Sequence, residues 1–245
     1  LSSSSKKSIS GSLARMMYTY ELISKDEYDR LRHSFKAKSN SWSEKVLSDA
    51  DLVEFFNLLI TMKIDKFYIL RNLTLFMLLL ITGMRIGQAL DLTIEDVSLT
   101  NEYIKLTIRT AKKNDTNTRY QNDYTLSIPN TSGYKQINLR NLIEVYLDLR
   151  SKTVPKDTTV FLCTKGGNTI DAENIRNLCR GMKTTTRITP HRFRHTAISN
   201  VALNHGITKA AILANHSSIE TTKRYIKPTE EDMSDVFRKS EVDYN

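Results

Sequence analysis

The sequence has few of the features that mark secreted, metal-dependent or membrane-spanning proteins. Two cysteines, Cys163 and Cys179, are too few for a disulfide framework or a cysteine-rich metal site. The longest uninterrupted apolar run, Leu75 to Ile81, is shorter than a membrane-spanning helix requires. Leu1 to Ser5 contains no hydrophobic signal region. We therefore expect an intracellular protein without a membrane span.

Acidic residues are in the minority. The chain has 245 residues, with 36 Lys and Arg against 27 Asp and Glu, so its formal charge is +9 and its pI is near 9.4. The 40% hydrophobic and 26% charged fractions are typical of a globular protein. A charge of this sign and size favours a polyanionic partner, either nucleic acid or an anionic membrane surface.

Helical periodicity dominates the main part of the chain. Ser48 is expected to cap a helix with apolar positions from Leu52 to Ile60, a second helix covers Phe67 to Ile81 and ends at Gly83, and a third covers Arg85 to Leu92. Further helices are predicted at about 141–149, 173–180, 190–204, 208–214, 218–226 and 230–238.

The periodicity changes to alternation at Tyr103–Arg109 and again at Tyr124–Ile128, which predicts a β-hairpin with a long basic tip. A short strand is also predicted at Val160–Cys163. The expected fold class is mainly α with a small antiparallel β-sheet (α+β).

Two domains are expected. Residues 1–40 are predicted to be a flexible, basic N-terminal segment that ends in a linker near Ser39–Ser41, and residues 41–245 to form the main domain with a C-terminal tail helix. Because the chain begins with Leu1 and not with methionine, we expect a fragment or a processed product.

The segment from Thr189 to Thr196 contains the most informative pattern. Thr189 suits an N-cap and Pro190 the first helical position, so His191 and Arg194 are predicted on one helix face. A neutral imidazole accepts a proton near pH 7, and a guanidinium fork matches phosphate oxygens. With the phenol of Tyr225 downstream, the set indicates chemistry on a phosphodiester.

Three other segments complete an ordered set of residues. Arg85 directly follows the end of a buried helix, Lys112 and Lys113 lie at the hairpin tip, and His216 precedes a helix with a capping box at Ser217-x-x-Glu220. The order Arg, Lys, His-x-x-Arg, His, Tyr resembles the catalytic domain of tyrosine recombinases, the phage integrase family. The resemblance covers about residues 43–240 and is carried by Thr82–Ala89, His191–Thr196 and Leu213–Tyr225.

The chain departs from the family pattern at three positions. Gln88 replaces a usual glutamate, which alters the support for Arg85. Asn215 replaces a usual glycine, but asparagine tolerates left-handed backbone, so the turn before His216 can survive. Lys227 replaces a histidine that often follows the tyrosine. None of the three removes a reactive group.

The resemblance implies a role for each reactive residue. Arg85 and Arg194 hold the phosphate, His216 donates it a further hydrogen bond, and His191 serves as the base for the nucleophile Tyr225. Lys112 supplies the proton for the leaving 5′ oxygen, with Lys113 as the alternative. The product is a 3′-phosphotyrosyl link, formed without metal, ATP or another cofactor.

The resemblance also implies the partners. They are a double-stranded DNA site, other copies of the protein in a tetramer, and in some systems accessory DNA-bending proteins. Residues 1–40 are too few for the family's core-binding domain, so they are interpreted as a linker or a remnant of that region. The expected location is cytoplasmic, with the nucleoid, or nuclear or viral if the host is not a prokaryote. Expected DNA-backbone contacts are Lys105, Arg109, Lys113, Arg119, Arg192 and Arg224.

Three questions stay open at this point. A type IB topoisomerase uses a similar residue set, and a DNA-binding protein of the same fold without activity has the same charge. Tyr225 has two routes of attack, on DNA bound by its own subunit or by a neighbour. His195 has a buried structural role or a functional one, whereas the other ten tyrosines are expected to be core or surface aromatics.

Overall fold

The computed structural model describes residues 24–26, 46–109, 123–216 and 219–223. The chain divides into two units, Leu1–Ser41 and Trp42–Asn245. In the first unit, Lys25 and Asp26 are helical. Several predictions lie outside the described residues: the segment 1–12, the helix 230–238, the Ser217 cap, and the site residues Lys112, Lys113, Arg119, Arg224 and Tyr225.

The described part of the second unit is mainly helical. Its helices are α1 (Asp49–Ile60), α2 (Lys66–Thr82), α3 (Ile86–Leu90), α4 (Leu139–Thr153), α5 (Ala172–Gly181), α6 (Pro190–His205), α7 (Ile207–Leu213) and α8 (Ile219–Lys223). Within the described ranges, none is long and apolar enough to cross a membrane.

The strands form two small antiparallel sheets. β1 (Val97–Leu99), β2 (Tyr103–Ile108) and β3 (Tyr124–Pro129) pair in that order, and β4 (Gly133–Tyr134) pairs with β5 (Ile137–Asn138). In the predicted hairpin, Ile108 lies opposite Tyr124 and Ile104 opposite Ile128. The inner face of β2 is buried at Ile104, Leu106 and Ile108, as the alternation requires. The predicted fold class is confirmed.

Local signals fix the helix ends that matter for the site. Ser48 and Asp51 form a reciprocal capping box at the start of α1. Gly83 ends α2 with φ 63°, a left-handed conformation that glycine adopts without steric cost. The long apolar helix therefore stops where the chain turns toward Arg85.

An aromatic cluster joins α1, α2 and α6. The ring centroids of Phe55 and Phe76 lie 4.6 Å apart, those of Phe76 and Phe193 5.0 Å, and those of Phe55 and Phe193 5.1 Å. All three side chains are fully buried. Phe193 lies between His191 and Arg194 in sequence, so this cluster fixes the helix turn that carries both.

Some elements differ from the sequence prediction. The strand predicted at Val160–Cys163 is wrong: Val160 makes one isolated bridge to Thr93, and the three residues after it form no strand. An apolar run is compatible with any buried segment, and here Phe161, Leu162 and Cys163 are core residues without a ladder. The sequence also did not indicate β1, β4 or β5. Helix α4 begins two residues early because the Asn138 side chain caps it.

Candidate active site

Helix α6 carries the central residues of the site. Thr189 occupies the N-cap position and Pro190 the first turn, as predicted, although the Thr189 side chain makes no capping hydrogen bond. The buried Thr196 hydroxyl donates to the Arg192 carbonyl and accepts from the Leu47 amide, so it ties the start of the unit to α6. The helix start is therefore held by proline geometry and tertiary contacts.

Arg194 is 3% exposed and is fixed between the ends of two helices. Its Nη1 donates to the carbonyl of Gly83 at the end of α2, and its Nη2 donates to the carbonyl of Ala214 at the end of α7, at 2.9 Å. Helix C-terminal carbonyls carry partial negative charge and lack intrahelical partners. The guanidinium therefore satisfies both ends and is held in one orientation.

The turn after α7 places His216. Asn215 has φ 46°, which confirms that asparagine adopts the left-handed conformation there. The Asn215 amide donates to the Ile212 carbonyl and the His216 amide to the Ala211 carbonyl, both at 3.0 Å, which is the Schellman arrangement. Asparagine thus takes the place of the usual helix-ending glycine without loss of the turn.

The His216 ring lies directly against Arg194. Its Nε2 is 3.1 Å from Arg194 Nη2, and its Nδ1 is 2.9 Å from the Thr222 hydroxyl. Burial, followed by the positive charges of Arg194 and Arg85, lowers the pKa of His216 to about 4. His216 is therefore neutral at pH 7 in this structure.

Arg85 lies at the start of α3, with an exposed side chain. Its backbone amide donates to Gln88 Oε1 at 2.9 Å, so glutamine fixes the backbone here as a glutamate oxygen would. Because Gly83 binds Arg194, the turn that carries Arg85 is anchored beside the second guanidinium. The predicted residues Arg85, Arg194 and His216 are thus brought together.

His191 and His195 form a pair one helix turn apart. Their Nε2 atoms lie 3.0 Å apart, and the rings meet edge to face with centroids 4.4 Å apart. His191 is exposed, whereas His195 is buried. Two imidazole nitrogens at this distance share one N–H···N hydrogen bond when one of them carries a hydrogen, so His195 orients the ring of His191. The sequence left this role open.

Tyr124 lies next to the predicted site residues, a position that the sequence analysis did not indicate. Its hydroxyl is 3.4 Å from Gln88 Nε2. Burial raises the pKa of Tyr124, while the Gln88 hydrogen bond, Arg194, Arg85 and an Asn215 hydrogen bond act in the opposite direction. The Tyr124 ring packs against the hydrophobic core, as expected for a core aromatic, and its hydroxyl lies near both arginines. Its position directly after the hairpin tip was the one available signal.

The predicted DNA contacts within the described residues differ in their surroundings. Lys105 is exposed on β2. Arg109 Nε binds the buried carboxylate of Asp96 at 2.8 Å. Arg192 donates to the carbonyls of Arg187 and Val46. The two arginines therefore have structural partners, and Lys105 faces solvent.

The described residues contain no group of side chains suited to bind a metal ion. Among the residues that the structure describes, no three His, Cys, Asp or Glu side chains gather where they could hold a metal ion. The site is instead built from cationic and neutral hydrogen-bond donors.

The depressed pKa of His216 predicts a pH-dependent stability. The folded value near 4 is below the unfolded value of about 6.5, so the unfolded chain binds more protons between these pH values. We expect the free energy of unfolding to fall as pH drops from 6.5 to 4. His216→Gln should remove this component, which solvent screening of the half-buried ring keeps below about 3 kcal/mol. Urea unfolding across this pH range measures it, and parallel curves for the two proteins would contradict it.

Comparison with known proteins gives a family and a set of relatives. Residues 45–232 match the model of the phage integrase family. The chain is 25% identical to the tyrosine recombinase XerS of Streptococcus gordonii over 181 residues, which cover 69% of this chain and 45% of that protein. It is 27% identical to XerS of Streptococcus pneumoniae strain CGSP14 over 150 residues, 60% of this chain and 37% of that one. The chain thus spans less than half the length of these relatives.

Solved structures share the fold. The XerH site-specific recombinase bound to its difH substrate aligns with a TM-score of 0.61 at 17% identity, over 81% of this chain and 55% of that one. The XerA recombinase aligns with a TM-score of 0.59 at 18% identity, over 95% and 82%. The Tn1549 transposon integrase in complex with circular intermediate DNA aligns with a TM-score of 0.60 at 15% identity, over 91% and 74%.

Proposed function

The chain belongs to the phage integrase family, and from this membership we propose that it is a site-specific DNA recombinase that cleaves and rejoins strands through a 3′-phosphotyrosyl link. The observation that carries the proposal is the fixed position of Arg194 between two helix ends, in contact with His216 and next to the turn of Arg85. The proposed nucleophile is Tyr225.

The arginines match the electrostatic demand of the reaction. Negative charge grows on the non-bridging oxygens as phosphorus becomes five-coordinate, and preorganised donors stabilise that charge without reorganisation. Arg194 is preorganised because backbone carbonyls hold it before any substrate binds. Arg85, exposed beside it, supplies the second positive charge.

Proton transfer is assigned to side chains. His191, oriented by His195, accepts the proton of Tyr225. Lys112, or its neighbour Lys113, protonates the leaving 5′ oxygen. The phosphotyrosyl bond replaces the phosphodiester bond at similar energy, so rejoining requires neither ATP nor a metal ion.

The proposed partners follow from the same chemistry. The substrate is a double-stranded DNA site, exchanged between two duplexes by a tetramer of subunits, with DNA-bending proteins as accessory factors. Because the proposed substrate is DNA, the proposed location is the cytoplasm, in association with the nucleoid. If the host is not a prokaryote, the proposed location is nuclear or viral. Residues 41–245 form the catalytic domain, and residues 1–40 a linker or a remnant of a core-binding region.

Two experiments separate this function from its alternatives. A DNA site is first selected by binding from a genomic library and then nicked near the cleavage position, so that the cut end diffuses away. A recombinase leaves a covalent protein–DNA complex on this nicked selected duplex, whereas a silent binder leaves none. A topoisomerase relaxes supercoiled plasmid that lacks the selected site, whereas the proposed recombinase does not.

The basic hairpin tip is expected to bind DNA phosphates. Each neutralised phosphate adds about 0.9 to the slope of log affinity against log salt. The double variant Lys113→Ala/Arg119→Ala should therefore flatten the slope by up to about 1.8 in titrations of the selected duplex.

A matched control is Lys152→Ala/Arg176→Ala, which removes the same charge from two exposed cations. Lys152 pairs with Asp148 and Arg176 with Glu173 on their own helices. This variant should keep the slope of the unmodified protein. Equal slopes for the hairpin variant and the unmodified protein would remove Lys113 and Arg119 from the interface.

A further inference from the structure

The hydrogen bonds around His216 determine where its ring carries a hydrogen. An arginine side chain has donors and no acceptor. Because Arg194 Nη2 lies 3.1 Å from His216 Nε2, that nitrogen accepts and carries no hydrogen. In the neutral ring the hydrogen is then on Nδ1, which donates to the Thr222 hydroxyl oxygen at 2.9 Å.

Thr222 is well placed to hold this arrangement. Its side chain is fully buried and belongs to α8, which packs against α7 on the far side of the turn that carries His216. It precedes Tyr225 by three residues. The ring is thus held at one nitrogen by α8 and at the other by the arginine.

This tautomer conflicts with the role that the family resemblance implies for His216, which is to donate a hydrogen bond to the phosphate. A nitrogen that accepts from Arg194 has no hydrogen to donate to a phosphate oxygen. The conflict is resolved if a proton is added at Nε2 when an anion arrives and the contact between Nε2 and Arg194 Nη2 opens, so that an anion oxygen accepts from both nitrogens; Nδ1–H···Thr222 remains intact in the doubly protonated ring. Both arginines repel such a proton, and a bound anion offsets that repulsion.

We propose that Thr222 is a positioning residue that locks His216 as the Nδ1–H tautomer, and that a tetrahedral anion bound at Arg85 and Arg194 makes His216 take up one proton from solvent at Nε2 and become a donor. This inference rests on the proposed function, since it concerns the same phosphate site. It adds a residue, a protonation state and a proton that accompanies binding.

Among the described residues, the elements next to His216 carry the following charged groups. Helix α6 contributes Arg194, and the start of α3 contributes Arg85. On α8, Glu220 and Lys223 form an ion pair at 2.8 Å, and α7 contributes Lys209. Of these described groups, Arg194 and Arg85 are the charges that lower the pKa of His216.

The test is NMR of the folded protein with ¹⁵N-labelled histidine. Long-range ¹H–¹⁵N spectra distinguish the tautomers, and His216→Gln assigns the signal. The unmodified protein should show the Nδ1–H tautomer. Sulfate is the probe because it stays a tetrahedral dianion across the pH range; it should raise the pKa of His216 by at least one unit, a tenfold gain in proton affinity, above chloride at equal ionic strength.

Variants at residue 222 separate positioning from general stability. Thr222→Val should lose the Nδ1–H preference, Thr222→Ser should keep it, and Thr221→Val, at the exposed neighbouring position, should resemble the unmodified protein. An Nε2–H tautomer in the unmodified protein, no sulfate effect beyond chloride, or an unchanged tautomer in Thr222→Val would each overturn the proposal. If Thr222→Val does not fold, the first two readings still decide.

Failure of this inference is distinct from failure of the proposed function. Covalent complex on the nicked selected duplex together with an Nε2–H tautomer would remove the role of Thr222 and leave the recombinase. The Nδ1–H tautomer with the sulfate effect, but no covalent complex, would keep the anion-coupled proton and remove the strand transfer.

Discussion

Tyr225→Phe should form no covalent protein–DNA complex on the nicked selected duplex and should still bind it with nearly unchanged affinity. Phenylalanine has no oxygen to attack phosphorus, and the change removes one hydroxyl from a protein with a formal charge of +9. Denaturing gel electrophoresis measures the covalent complex, and a filter or gel-shift titration measures binding.

Tyr124→Phe is the matched control, because Tyr124 is a second phenol close to both arginines. Its raised pKa makes it a weaker nucleophile than an ordinary tyrosine, so this variant should still give covalent complex, at a reduced rate. Complex that persists in Tyr225→Phe and disappears in Tyr124→Phe would transfer the nucleophile role to Tyr124.

Arg194→Ala should lower the rate of covalent complex formation by at least about 10²–10³-fold, the range for loss of one preorganised donor. It also leaves the carbonyls of Gly83 and Ala214 without their partner, so it should destabilise the fold. Arg194→Lys keeps the charge but not the fork, and should be nearly as slow.

Arg150→Ala separates the two effects. Arg150 is also a buried arginine bound to two backbone carbonyls, those of Thr158 and Val160, but it lies on α4. It should lower the melting temperature as Arg194→Ala does and, below that temperature, keep the reaction rate. If both variants lose stability and rate in parallel, Arg194 is a structural residue and not a phosphate ligand.

Local patterns were sufficient for much of the fold. Ser48 with Asp51 and Gly83 with its positive φ are signals within a few residues, and they place the ends of α1 and α2 correctly. The alternation in Tyr103–Ile108 and Tyr124–Ile128 predicts the hairpin because one face of the sheet is buried. The short strands were missed because β4 and β5, at two residues each, are too short to show a period.

The residues that approach the substrate in the proposed reaction could be predicted because the family motif names them in order. The residues that orient them could not, because their roles depend on contacts across the fold. The Gly83 carbonyl accepts a hydrogen bond from Arg194, which is more than a hundred residues away in sequence. The Tyr124 hydroxyl contacts Gln88 from a different element. Thr222 and His195 lie inside the motifs, but their roles depend on the hydrogen bonds that they make. Thr222 contacts a ring nitrogen of His216, and His195 contacts a ring nitrogen of His191.

The most direct test of the central claim is the identity of the amino acid that becomes linked to DNA. The covalent complex is digested with protease and nuclease, and the remaining nucleotide-bearing peptide is sequenced by tandem mass spectrometry. The proposed mechanism predicts a phosphodiester between the Tyr225 phenol oxygen and the 3′ end of the cut strand. A nucleotide on any other residue, or a link to a 5′ end, would contradict it.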